Sequence, residues 1–357
     1  MSSSQLPIRA SNLPSPLAEK NGWPWVIQSD ELNKPENYEI DCPLISIVTP
    51  SYNQGQFIEE TIRSVLLQNY TNIEYIIIDG GSCDDTLEII KKYDRWISYW
   101  TSESDEGPSE AINKGWNRAR GEILAYINSD DAYLPNALLS VAKAFHENPQ
   151  ASAICGNEIR VDKSGFFIKK SEIKNVSYLS LLNLEFIPQP STFIRRNIIK
   201  SVGGINTKIK YIFDFELLLR VSRQEPIKEI RDCLAITRWH DETITVTRRS
   251  KIGEELVTLV TDELSDEELY FEKSEKTDLL VKVNLLALAL CLEEGKLLKS
   301  LRYAFNLSLI LPVYKFIIKI IYIYVLESYR FFKKALSIRK KLTLTKNKKH
   351  WSNLSLI

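Results

Sequence analysis

The run Ile123-Leu124-Ala125-Tyr126-Ile127-Asn128-Ser129-Asp130-Asp131 is an apolar stretch that ends in two adjacent carboxylates. Like charges side by side repel, and they are stable together when a cation or a row of hydrogen-bond donors faces them. A paired-carboxylate tip on a strand is therefore a candidate site for a hard divalent metal, and for the phosphate-bearing ligand such a metal would hold. Asn-Ser-Asp-Asp is equally the composition of a plain polar turn. This segment alone does not choose between the two.

Elements that could position the two acids lie on either side. Leu44–Val48 and Ile73–Ile78 have buried-strand character, Ile97–Trp100 is a third candidate, and Glu122–Ile127 a fourth. Between them, Phe57–Gln68, Thr86–Tyr93 and Pro108–Ala119 carry helical signals: apolar spacing in the first, and Pro108 near the first turn of the last. Alternation of this kind predicts an α/β fold with a mainly parallel sheet flanked by helices. Ligands on such sheets bind beyond the carboxyl ends of the strands. Polar clusters stand at all four ends: Thr49–Gln54, Asp79–Asp85, Thr101–Asp105 and Asn128–Asp131. Four such clusters together are hard to explain as unrelated turns.

The chain has 357 residues, more than one small core requires, with 44% hydrophobic and 26% charged residues. Its formal net charge is zero, so it is not an electrostatic nucleic-acid binder. The five cysteines (Cys42, Cys83, Cys155, Cys233, Cys291) are scattered and odd in number, as expected of reduced thiols in a cytoplasmic protein. No secretory pattern opens the sequence. No G-x-G-x-x-G follows the first strand, which argues against a dinucleotide-dependent oxidoreductase.

The pattern divides the chain into a Pro/Ser/Asn-rich arm (1–43, with Trp23-Pro24-Trp25 as a packing clamp), a main domain (44–247), a helical hairpin region (248–311) and a basic amphipathic helix with tail (312–357). After Glu327 there are nine bases and no acid. That segment suits an anionic membrane surface, which would make the protein peripheral on the inner face of the cell membrane. Docking on the protein's own core is the competing use. Lys315 and Lys319 within the apolar stretch oppose a membrane-spanning helix.

Five motifs in order, Thr49-Pro50-Ser51-Tyr52-Asn53, Ile78-Asp79-Gly80-Gly81-Ser82, Asn113-Lys114-Gly115, Ala119-Arg120-Gly121-Glu122 and Asn128-Ser129-Asp130-Asp131, resemble the family-2 glycosyltransferases over about residues 44–247. The resemblance implies a GT-A fold and an inverting sugar transfer from a nucleoside-diphosphate donor, here a UDP-sugar, to a glycan or lipid-linked saccharide hydroxyl. It assigns Thr49, Pro50 and Tyr52 to the nucleoside pocket, with Tyr52 against the base. Asp79 would bond the base or ribose, and Asp105, Asn113 and Lys114 would lie on the same ligand. Asp131 would hold Mg²⁺ or Mn²⁺, with Asp130 on the ribose or the same metal. Asp214, within Phe213-Asp214-Phe215-Glu216-Leu217, takes the general-base position. His240, after Arg238-Trp239, would meet the diphosphate or metal. Gln189 and Glu216 fall on the acceptor side.

Three positions depart from the common family pattern: Gly80 replaces a second acid, Asn128 replaces an aspartate, and Ile112 replaces an arginine. They motivate an alternative, a non-catalytic protein that keeps the fold for binding or membrane scaffolding.

Overall fold

A computed structural model describes residues 7–16, 20–27, 42–311 and 350–351. The described residues fall into two compact units. One runs to Tyr178 and includes Phe186–Trp239 and the pair His350–Trp351; the other comprises Leu179–Glu185 and 240–311. The last strand of the sheet ends at Trp239.

The first unit opens with β1 (Ile45–Ser51), α1 (Ile58–Leu66), β2 (Ile73–Asp79), α2 (Thr86–Lys92), β3 (Tyr99–Ser102), α3 (Pro108–Arg118) and β4 (Ile123–Tyr126). β3 starts two residues later than its apolar run, because Asp94–Trp96 forms a 3-10 turn first. There follow β5 (Ala132–Tyr133), α4 (Ala137–Glu147), β6 (Ala153–Asp162), β7 (Phe167–Ser171), β8 (Thr192–Arg195), α6 (Arg196–Val202), α7 (Phe213–Gln224) and β9 (Ile227–Trp239), while α5 (Tyr178–Leu182) falls in the second unit from Leu179 on. The strands form one sheet in the order β3-β2-β1-β4-β8-β6-β9-β5, with β7 on β6. β3, β2, β1 and β4 are mutually parallel, so their carboxyl ends lie along one edge. β8 then pairs antiparallel with both β4 and β6, making the whole sheet mixed.

Two motif glycines are explained by close approach. A Cβ at Gly115 on α3 would stand 2.5 Å from Val48 Cγ1, and one at Gly121 would stand 2.5 Å from Ser46 Oγ. Only glycine lets α3 and the start of β4 lie this near β1. Arg120 closes the same corner: its backbone N–H and its Nε each donate to Glu74 at 2.7 Å. The Trp-Pro-Trp cluster is a clamp. Trp23 Nε1 donates to the Tyr133 carbonyl at 2.9 Å, and buried Arg63 of α1 donates to the carbonyls of Pro14, Pro24 and Trp25. At the far end of the chain, Trp351 is buried in the main core and its N–H donates to Gly165 O at 3.0 Å.

In the second unit, α8 (Ile244–Thr247), α9 (Arg249–Ser265), α10 (Lys273–Glu293) and α11 (Leu297–Ile310) follow. The expected hairpin is α10–α11, packed through Val281, Leu288, Cys291, Tyr303 and Leu307. Before it, α9 buries Leu256, Val260 and Leu264 at a spacing of four. Among the described residues, no helix is long and apolar enough to cross a membrane. The amphipathic segment expected within 312–349 lies outside the described residues.

Candidate active site

The tips of β1, β2 and β3 end level, with Ser51 opposite Asp79 and Asp79 opposite Ser102. β1 pairs with β4 only as far as Val48. Pro50, which has no N–H to give, sits where that ladder has stopped, two residues on and facing the same neighbour. Thr49 is fully buried, and its hydroxyl lies 3.1 Å from the Tyr75 phenol on the neighbouring strand. Tyr52, just past the strand, is 61% exposed and presents its ring to solvent.

Asp79 is also committed internally. Its carboxylate accepts from the N–H groups of Gly81 and Ser82 and from the hydroxyls of Ser82 and Ser102, at 2.5–3.1 Å. Four donors on one buried carboxylate make it the organiser of the β2 tip, with little capacity left for a ligand. At the neighbouring departure from the family, a Cβ at Gly80 would lie 3.1 Å from both carboxyl oxygens of Asp105, so a side chain there requires Asp105 to shift by a few tenths of an ångström. Burial pushes its carboxyl up, Glu110 and Asp79 add to the rise, and the Gly107 N–H it accepts at 2.9 Å opposes it.

Asn113 is a loop clamp. Its amide donates to Ile205 O at 2.8 Å and accepts from Ile205 N–H at 2.9 Å, tying α3 to the segment after α6. Lys114 pairs with Glu103 at 2.7 Å on the surface, a contact that is weak in water and readily exchanged for a phosphate.

The paired carboxylates lie just beyond β4. Asp131 is buried, and Asp130 is partly exposed. Asp131 Oδ1 accepts from the Arg238 backbone N–H at 2.9 Å, and Oδ2 lies 3.4 Å from Asn128 Nδ2. Burial drives the Asp131 carboxyl well above its usual range, and the charge of Asp130 drives it further. Two side chains of α1 and Gln68, just beyond its end, hold this segment from behind. The Thr61 hydroxyl is shared between Asp131 O at 2.6 Å and Ser129 O at 2.9 Å. Ser64 Oγ accepts from Tyr133 N–H at 3.1 Å. Gln68 donates to Leu134 O and accepts from Leu138 N–H. Arg238 supports the other side, donating to Asp130 O at 3.0 Å and to the Glu60 carboxylate at 2.9 Å. Residue-type reasoning missed this rail. The signal was present: Thr61 and Ser64 stand three apart beside the apolar positions of the same helix, and Gln68 follows four residues on, just past its end.

Gln189 and Asp214 meet at a small cavity whose walls include Trp116, Tyr126, Thr192 and Leu217. Gln189 Nε2 donates to Tyr126 O at 2.8 Å, and its Oε1 lies 3.4 Å from Asn128 Nδ2, linking the cavity to the carboxylate pair. Asp214 lies in the first turn of α7. Burial raises its carboxyl above the usual range, against the hydrogen bonds from its own N–H and that of Phe215. Tyr126 connects the two acidic sites, since burial and then the charges of Asp214 and Asp131 all raise its phenol.

Glu216 is buried in a bidentate pair with Arg220, both contacts at 2.7 Å, and Arg220 in turn holds the carbonyls of Val202 and Gly204. His240 belongs to the second unit, where its carbonyl accepts from Thr243 and its Nδ1 lies 3.7 Å from Glu242.

Among the described residues, no group of three or more His, Cys, Asp and Glu side chains converges on a metal position. Asp130 and Asp131 still fit one kind of ion. Mg²⁺ and its relatives commonly use one or two carboxylates and take their remaining oxygens from water and substrate phosphates. A buried carboxyl held above its usual range by its neighbour's charge is a corner that a cation would relieve.

Known proteins share this fold and family pattern. Residues 46–218 match the family model Glycosyl transferase family 2. An uncharacterized glycosyltransferase of Haemophilus influenzae is 31% identical over 52% of this chain and 75% of its own length. Another, from Rickettsia typhi, is 29% identical over 59% of this chain and 69% of its own. Among solved structures, S. aureus TarS 1-349 in complex with UDP-GlcNAc superposes with a TM-score of 0.58 at 18% identity, over 75% of this chain and 81% of that one. A mannosyltransferase from Pyrobaculum calidifontis in complex with GDP-Man and Mn2+ gives 0.55 at 15% identity, over 88% and 90%. The fold is thus GT-A. The chain belongs to glycosyltransferase family 2 and is a glycosyltransferase, which sets aside the non-catalytic alternative.

Proposed function

We propose that the enzyme transfers a sugar from a nucleoside-diphosphate donor, a UDP-sugar in the first instance, to a hydroxyl of a glycan or lipid-linked saccharide, with inversion at the anomeric carbon. The observation that carries this is the pair of carboxyl sites joined through Tyr126 and Gln189, one at the strand tip and one at the cavity. Asp131, with Asp130, would hold Mg²⁺ or Mn²⁺, whose charge would offset that building on the departing diphosphate. The exposed ring of Tyr52 is placed to stack on the base, and Lys114 to exchange Glu103 for a phosphate.

Asp214 serves as general base. It takes the proton of the acceptor hydroxyl as that oxygen attacks the anomeric carbon, and the bond from that carbon to the diphosphate oxygen breaks. A carboxyl raised by burial is a stronger base than one in water, which suits it to this step near neutral pH. Gln189, at the mouth of the same cavity, orients the acceptor.

The test is calorimetric and thermal-shift titration with UDP, GDP and dTDP, each with and without Mn²⁺. Stabilisation by one nucleotide that needs the metal supports the proposal and names the donor class. No response to any nucleotide, with the protein folded, would overturn it.

A further inference from the structure

α11 has two apolar faces. Ser300, Tyr303 and Leu307 are buried. On the opposite side Leu298 is 86%, Leu301 63%, Phe305 63% and Leu309 72% exposed. These four recur at spacings of three and four, so they form one continuous stripe along the outside of the helix. Scattered exposed apolar residues need no explanation, whereas a stripe of this length marks a contact surface.

The charges around the stripe indicate its occupant. α11, Leu297–Ile310, contains Lys299 and Arg302 and no acid, and Lys296 precedes it. Lys299 is drawn towards Glu254 at 3.4 Å, while Arg302 lies exposed beside the stripe. The 38 residues that follow Leu311, up to Lys349, hold eleven bases against one acid. A second copy brought face to face would set like charges together, and an anionic surface would meet opposite ones. We infer that the outer face of α11 seats in the headgroup and acyl boundary of an anionic membrane, with Leu298, Leu301, Phe305 and Leu309 entering the apolar layer. Arg302, beside the stripe, meets the lipid phosphates. The face would hold the enzyme at a lipid surface whichever donor it uses.

The test is flotation of the full chain with phosphatidylcholine vesicles, with and without phosphatidylglycerol, across a range of salt. The wild type is expected to float only with the anionic vesicles, and less as salt rises. Leu301→Glu with Phe305→Glu should lower binding at least about tenfold with the thermal melt unchanged, since neither side chain is buried. Leu301→Ser with Phe305→Ser keeps the test open should the acidic pair disturb folding. Wild-type binding retained by both variants would overturn the inference and assign attachment to the chain after Leu311. Absence of flotation by the wild type would overturn it as well. So would a wild-type dimer that the same substitutions dissociate, since the occupant would then be a second copy.

Discussion

Thr61→Val tests whether the rail on α1 sets the geometry of the carboxylate pair. The substitution is nearly isosteric and removes a fully buried hydroxyl shared by the carbonyls of Asp131 and Ser129. Leaving buried acceptors without their donor costs about 1–3 kcal/mol, which in a domain of this size lowers the melting temperature by roughly 2–4 °C per kcal/mol. The functional consequence is separate and larger. Both carbonyls flank the paired acids, and a displacement near 1 Å at a catalytic group can reduce turnover about a hundredfold. Metal-dependent nucleotide binding by calorimetry and the steady-state rate would be measured on Thr61→Val, Asp131→Asn and the double variant. If Thr61 acts through Asp131, it weakens Mn²⁺-dependent binding, and the double variant is no worse than Asp131→Asn alone. A Thr61→Val protein that melts earlier yet keeps wild-type metal dependence and rate would refute the mechanism and reduce the rail to a stability element.

Asp214→Asn is expected to abolish transfer and leave nucleotide binding and the fold intact, as read by calorimetry and circular dichroism; transfer that survives would remove Asp214 as base. The rate of the wild type should rise with pH along a limb displaced above the ordinary carboxylate range, because Asp214 must be ionised and burial raises it. Asp131 and Asp214 both hold protons more tightly when folded, so their contribution to stability is full below the unfolded value of 3.8 and is lost as pH rises through the raised folded values. The metal-free protein should therefore melt lower at neutral than at mildly acidic pH, and Mn²⁺ with nucleotide should flatten that slope. Trp351→Ala empties a core position and should cost about 3–5 kcal/mol in urea unfolding.

The sequence by itself determined the parallel half of the sheet, the four polar strand tips and the helical hairpin, because each is written in local periodicity and in turn chemistry. It also marked the Asp130-Asp131 pair as special, since acids at the end of an apolar run are conspicuous in one dimension, whereas Asp214 was marked by the family resemblance alone. What each motif residue does was decided by tertiary contacts. Asp79, Asn113, Thr49 and Glu216 are all polar residues in family motifs, yet their side chains are bonded to the protein itself: Asp79 to its own loop, Asn113 to Ile205, Thr49 to Tyr75 and Glu216 to Arg220. A motif shows that a polar group is needed at a position but not whether its partner is a ligand or a backbone 92 residues away. Likewise β8 and β9 enter the sheet beside strands remote in sequence, and no local pattern encodes such pairings. Whether a buried carboxyl is braced or left with capacity for a ligand depends on how many donors the fold brings to it, and that number exists only in three dimensions.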